Sequence, residues 1–183
     1  MEGVRGNMVI NEKMQEELNG QINAELYSGY LYLSMATYFA QINLKGFANW
    51  MRMQELEEKI HAMLIYDYVI SRGGRVYLKA IDGPPVEWDS PLAAAKAAYN
   101  HECKVSKMID GLLDVAMGFK DNATINFLQW FVKEQVEEEE QTMEMVQRLE
   151  FIGDDKSQLF MYDQELAARP EPVPPAAAVQ AAN

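Results

Sequence analysis

A carboxylate and an imidazole three residues apart, Glu58 and His61, sit in the run Glu57-Glu58-Lys59-Ile60-His61. On a helix, residues at that spacing point the same way. The face they share reads Phe47, Met51, Gln54, Glu58, His61, Ile65, Tyr68, with steps alternating four and three. It is apolar at both ends and polar in the middle. A lone ionised carboxylate on such a face is costly to bury unless a partner neutralises it. Three other stripes repeat the pattern. One is Leu18, Ile22, Glu25, Gly29, Tyr32, Ala36. The second is Ala95, Tyr99, Glu102, Ser106, Ile109, Leu113, Ala116. The third is Thr124, Leu128, Phe131, Gln135, Glu138, Thr142, Met145, Leu149.

Glu25, Glu58, Glu102 and Glu138 thus fall near the middles of four helices, with His61 and Gln135 one turn away on two of them. Four glutamates meeting in a dry core repel: one unit-charge pair at 4 Å is worth about 4 kcal/mol at an effective dielectric near 20. Divalent cations would remove that cost. Carboxylates with a single imidazole suit iron or manganese better than a thiol-loving ion, although zinc and calcium also bind such oxygens. A central carboxylate can bridge two ions about 3.5–4 Å apart, and Glu58 is placed for it. Glu57, Glu134 and Glu137 flank this group and can form a second, weaker cation site across two helices. Glu139 and Glu140 read as a solvated face. Tyr32 follows Glu25 by two turns, where a tyrosine serves either as packing or as an electron donor. His101 reads as a surface residue, and Cys103, Trp130 and the twelve methionines as core.

The elements that must place these residues follow from the breaks between stripes. Residues 1–10 read as an N-terminal arm. Asn11 can cap a first helix running to about Ala40. The break at 41–44 is short, so the second helix returns antiparallel and stops at Gly73-Gly74. The 73–90 connection is long and contains Gly83-Pro84-Pro85. At full extension it reaches roughly 55 Å, against roughly 40 Å for the second helix. It can therefore run the length of a bundle and set the third helix parallel to the second. Ser90-Pro91 starts that third helix, which ends near Gly118. Asp121 or Asn122 caps the fourth, which ends at Gly153, and a short fifth covers about 156–167. The expected fold is all-α: a four-helix bundle over 11–167 with one long crossover and a short fifth helix. Residues 168–183 read as a mobile Pro/Ala-rich tail.

Composition narrows the partners. With 16 Lys and Arg against 28 Asp and Glu, the net charge is −12. That disfavours nucleic acid and anionic membrane and is compatible with cations. One cysteine, Cys103, forms no internal disulfide and excludes a multi-cysteine zinc or iron–sulfur site within one chain. No apolar run is long enough to span a membrane, and Met1 to Asn7 lack an apolar signal core, so a cytoplasmic protein is the default expectation.

Four segments carry a family likeness: Asn23-Ala24-Glu25-Leu26-Tyr27-Ser28, Glu57-Glu58-x-x-His61, Tyr99-x-His101-Glu102, and Phe127 to Phe131 followed by Glu134-Gln135-x-Glu137-Glu138. In this order they resemble the non-haem ferritins of bacteria and archaea. The resemblance spans roughly residues 8–166. It implies a hollow shell of 24 subunits that oxidises Fe(II) with oxygen or peroxide and stores Fe(III) as mineral. It also implies one iron at Glu25, Glu58 and His61, and another at Glu58, Glu102 and Glu138 with Gln135 close by. A third, weaker iron would match Glu57, Glu134, Glu137 and Glu138, and Tyr32 matches the tyrosine beside the pair. Haem is not expected, because Lys59 follows Glu58 where the haem-binding relatives carry a methionine. Two other readings remain at this point. A purely structural bundle would turn the glutamates outward. A di-iron oxidase of organic substrates would need an apolar pocket beside the metals, for which the tight spacing leaves no obvious room.

Overall fold

Five helices follow one another in the computed structural model, which describes residues 9–174. They are α1 (Glu12–Gln41), α2 (Lys45–Ser71), α3 (Pro91–Gly118), α4 (Asn122–Ile152) and α5 (Lys156–Leu166), and there is no strand among the described residues. Residues 1–8 of the expected arm and 175–183 of the expected tail lie outside the described residues.

Side-chain caps start most of the helices. Asn11 Oδ1 accepts from the Lys13 amide at 2.8 Å, Ser90 Oγ from Ala93 at 3.1 Å and Asp121 Oδ1 from Thr124 at 3.2 Å. Each takes one of the amides that a helix start leaves without an internal partner. Beyond α2, Gly73 has φ +69°, the left-handed region glycine enters without steric cost. Its amide donates to the Ile70 carbonyl.

The crossover is tied to α1 along its course. Asn19 donates to the Arg75 carbonyl at 3.0 Å and accepts from the Tyr77 amide at 2.8 Å. Further on, Ser34 Oγ donates to the Pro85 carbonyl at 2.6 Å. The chain thus travels from the start of α1 toward its end before α3 begins. That sets α3 parallel to α2 and antiparallel to α1, as the connection lengths require.

The core is split in two. Met14, Leu18, Ile22, Ile65, Tyr68, Ile109, Phe127, Leu128 and Phe131 form one apolar cluster. Tyr32, Met35, Phe39, Phe47, Met51, Ala95, Met145 and Leu149 belong to the other. The stripes expected on α1, α2 and α4 are buried throughout. The α3 stripe needs correcting: Ala98, Val105 and Leu112 are buried, whereas Tyr99, Ser106 and Leu113 are half-buried. This helix packs against both α1 and α4, so its contact face is wider than one stripe. Four of the methionines expected in the core, Met63, Met108, Met117 and Met161, are exposed. Trp130 and Cys103 are half-buried.

The start of α2 has no cap of its own. Asp163, from α5, supplies one: its Oδ1 accepts from the Gly46 amide at 2.7 Å and the Phe47 amide at 3.0 Å. A Cβ on Gly46 would stand 1.6 Å from the Asp163 carbonyl oxygen, so only glycine lets α5 approach this closely. Arg169, assigned from sequence to the mobile tail, is also held. Its side chain is 17% exposed and pairs with Glu57 at 2.6 Å.

Asp163→Ala leaves two buried amides without an acceptor and is expected to cost about 1–3 kcal/mol. Gly46→Ala, which forces α5 away, should lower the thermal midpoint at least as far. Calorimetry on both variants checks this, and an unchanged midpoint for Asp163→Ala would remove its capping role.

Candidate metal centre

The polar layer between the two apolar clusters holds Glu25, Glu58, His61, Glu102, Gln135 and Glu138, all buried. All four glutamates face inward, which removes the reading that turns them to solvent. Among the described residues, two groups of metal-ligating side chains close to within 4.8 Å between ligand atoms: Glu25–Glu58–His61 and His61–Glu134–Glu138. The first is the set expected for one iron. His61 belongs to both, with its Nδ1 3.5 Å from Glu58 Oε2 and its ring edge-on to Trp130 and Phe131. Those two aromatic rings limit how the imidazole can turn.

Glu102 and Glu138 are engaged by neutral donors. The Tyr32 hydroxyl donates to Glu102 Oε1, and Gln135 Nε2 donates to Glu102 Oε2 at 3.3 Å. Gln54 Nε2 donates to Glu138 Oε2 at 2.7 Å. On α1, Gln21 Nε2 donates to Glu25 Oε1 at 2.8 Å. The second set from the resemblance, Glu58, Glu102 and Glu138, does not close to the 4.8 Å spacing.

Burial pushes Glu58, Glu102 and Glu138 toward their protonated forms. Glu58 is raised well above the usual carboxylate range, by burial first and then by the charges of Glu102, Glu25 and Glu138. Glu102 is raised to about 7 by burial, against the opposing hydrogen bonds from Tyr32 and Gln135. Glu138 rises to about 8 for the same first reason, with Glu102 and Glu57 adding to it. Burial likewise lifts the Tyr32 hydroxyl well above its usual value.

Glu25 Oε2 is buried and meets no hydrogen-bond partner. A buried carboxylate oxygen in that state carries a desolvation cost that nothing offsets. A cation held with Glu58 and His61 would supply the missing contact. The donor set, three to five carboxylates and one imidazole with no thiolate, fits iron or another hard divalent ion.

The three residues expected at the accessory site are not equivalent. Glu134 is half-buried, and its carboxyl is raised, mainly by burial. Glu137 is 51% exposed and lies 3.8 Å from Lys133. Glu57 is paired with Arg169.

His101 corrects the surface assignment. It is half-buried, its Nε2 is 2.7 Å from Ser28 Oγ, and its ring packs near Tyr27 and Tyr32. Burial lowers its pKa to about 4. A residue next to one on the buried face points about 100° away. Here that direction leads into the α1–α3 contact instead of solvent. An apolar recess of about 250 Å³ lies beside Glu25, lined by Leu26, Gly29, Tyr30, Leu33 and Ile81 among others, where the spacing had suggested no room. Gln21 and Arg169 are contacts of site residues that the stripes do not single out. Gln21 was findable as a polar residue one turn before Glu25. Arg169 had no local signal at all.

Comparison with known proteins identifies the family. The ferritin-like domain of the ferritin family matches residues 15–152. The chain is 43% identical over 161 residues to the bacterial non-heme ferritin of Bacteroides fragilis, covering 88% of this chain and 100% of that one. It is 36% identical to the corresponding protein of Staphylococcus aureus, covering 88% and 97%. Among solved structures, an open-pore ferritin from Archaeoglobus fulgidus superposes with a TM-score of 0.88 at 58% identity, over 88% of this chain and 99% of that one. With three quarters of its length matched and its four carboxylate stripes meeting in one buried layer, this chain belongs to the ferritin family.

Proposed function

We propose that the protein stores iron, oxidising Fe(II) at the buried carboxylate layer and holding Fe(III) inside a 24-subunit shell in the cytoplasm. The observation that carries this reading is the unpartnered Glu25 Oε2 beside Glu58, Glu102 and Glu138, three buried carboxyls that burial has pushed toward protonation. Iron is the substrate. Negative charge on the protein, −12 per chain, draws Fe(II) toward acidic passages.

One Fe(II) is held by Glu25, Glu58 and His61, and the second by Glu58, Glu102 and Glu138. Filling the second position requires Glu102 to turn from Tyr32 and Gln135, and Glu138 from Gln54. As each ion enters, the carboxyls that burial keeps protonated release their protons. Each Fe(II) then gives one electron to a shared molecule of oxygen or hydrogen peroxide. The hard anionic oxygens hold Fe(III) more tightly than Fe(II), which drives the transfer. Gln54, Gln135 and the Tyr32 hydroxyl steady the carboxylates without adding positive charge, so they do not compete with the substrate. Tyr32 stands beside the pair as an electron donor. Glu134 and Glu138 lie close enough to the His61 ring to act as acceptors that orient it. Glu57, Glu134, Glu137 and Glu138 hold a third, weaker iron on its way to or from the pair.

The recess beside Glu25 is the one feature that favours an oxidase of small organic molecules. The two readings part on stoichiometry: an oxidase takes up only the ions of its centre, whereas a storage shell continues far beyond them.

Two outcomes are expected. Glu58→Ala should slow Fe(II) oxidation by more than the roughly 10–100-fold that loss of an outer partner costs. The variant should still elute as an assembled particle. Stopped-flow absorbance beside size-exclusion chromatography checks both, and wild-type rates would end the bridging role.

The second outcome concerns pH. The folded-state pKa values of Glu102 and Glu138, about 7 and about 8, lie above the ordinary carboxylate value of 4.5. Between those limits the folded chain holds protons that the unfolded chain has lost, so stability falls as pH rises. His101, lowered to about 4, acts in the opposite direction below its ordinary 6.5, so the clean window is pH 6.5–8. The metal-free protein should melt progressively lower across that window, and Zn(II) should restore the loss. A melting point that rises there without metal would mean that the folded chain does not hold these protons and the carboxyls are already ionised.

A further inference from the structure

The contact between Glu57 and Arg169 joins a carboxylate of the proposed accessory iron site to the segment that follows α5. Arg169 Nη2 is 2.6 Å from Glu57 Oε2, and the two side chains are 17% and 21% exposed. Its guanidinium lies 4.5 Å from the centre of the Trp50 ring, and Nη1 donates to the Trp50 carbonyl at 3.5 Å. The backbone is held as well: Asn49 Nδ2 donates to the carbonyls of Ala167 and Arg169 at 3.4 and 3.3 Å. Beyond this anchor, Glu171, Pro172 and Pro174 line one side of a cleft whose other side is formed by Leu56, Ile60 and Met63 of α2. Residues 167–174 therefore form a strap along α2, and Arg169 is its fastening.

We propose that Arg169 is a latch: its guanidinium occupies the Glu57 end of the accessory carboxylate cluster, and a divalent cation entering there displaces it and frees the strap from α2. A guanidinium carries one charge and meets one carboxylate of the cluster. A divalent ion carries twice the charge and can be shared between Glu57, Glu134 and Glu138, so it outcompetes the arginine once its concentration suffices. Coupling of this kind is reciprocal: the latch weakens cation binding by the same factor by which the cation weakens the latch. Iron load at the inner carboxylates would thus be reported to the strap. The proposal rests on the accessory site described under the proposed function.

The test uses the assembled, metal-free full chain and Zn(II), a redox-inert divalent ion. Titration calorimetry resolves the third Zn(II) from the first two. Arg169→Met, which keeps an apolar stem beneath Trp50, should bind the third Zn(II) about fivefold tighter or more, the lower end of typical couplings between sites. The first two should be unaffected. Should Arg169→Met not assemble, Arg169→Lys replaces it. That variant loses the planar fork and ring contact and should still bind the third ion tighter than the parent. In a Trp88→Phe, Trp130→Phe background, Trp50 emission should step as the third ion binds, and the step should vanish in Arg169→Met. An unchanged third affinity with the emission step intact overturns the latch. Glu134→Gln, which does not touch Arg169, separates the two layers of the argument. If it abolishes the third class while Arg169→Met changes nothing, only the latch fails. If it leaves the third class intact, the accessory site fails and the latch with it.

Discussion

Removing four carboxylates from water at one height is the constraint to which the rest of this structure responds. Each of Glu25, Glu58, Glu102 and Glu138 is at most 2% exposed. Among the described residues, neither solvent nor a lysine or arginine neutralises them. Without a multivalent ion the layer settles its charge by holding protons, which is why Glu58, Glu102 and Glu138 are all shifted upward. The same arrangement that destabilises the bare fold creates affinity for a cation. The cost is offset by length: helices of 27 to 31 residues extend well beyond the layer on both sides. They bury Phe39, Phe47 and Met51 on one side and Leu18, Ile65 and Phe131 on the other.

The donors around the layer divide by charge. Gln21, Gln54, Gln135 and Tyr32, all buried, hold the central carboxylates through neutral amide or hydroxyl groups. Such donors orient a carboxylate yet leave its charge for an incoming ion. At the margin the pattern changes. Glu57 meets the permanent charge of Arg169, and Glu137 stands near Lys133. The strongest demand for a cation is thus confined to the innermost groups.

Rigidity at the ends keeps the layer in register. Arg72 at the end of α2 pairs with Asp121 at the start of α4, and Tyr68 stacks on Phe127 at 3.9 Å between ring centres. At the opposite end Asp163 caps α2 from α5. A slide of either helix by one turn would move a carboxylate about 5.4 Å out of the layer, and both contacts oppose it. The short fifth helix therefore serves the site without supplying a ligand to it.

Periodicity alone determined a large part of this protein. Stripes of period 3.6 with a glutamate at each centre specified four helices, the inward faces of α1, α2 and α4, and the shared layer. The length of the 73–90 connection specified their relative directions. These features are legible because helical spacing is local and a buried charge on an apolar stripe stands out against it. Tertiary structure decided the remainder. It showed that Glu102 turns to Tyr32 and Glu138 to Gln54, because a carboxylate's rotamer depends on donors from other helices. It brought His101 into the α1–α3 contact and shifted the packed face of α3, since a helix with two neighbours buries more than one stripe. It placed Asp163 on α2, and Arg169 on Glu57, residues 112 positions apart in sequence. No local pattern encodes pairings of that kind: they depend on where α5 ends in space, and that follows only from the packing of the whole bundle.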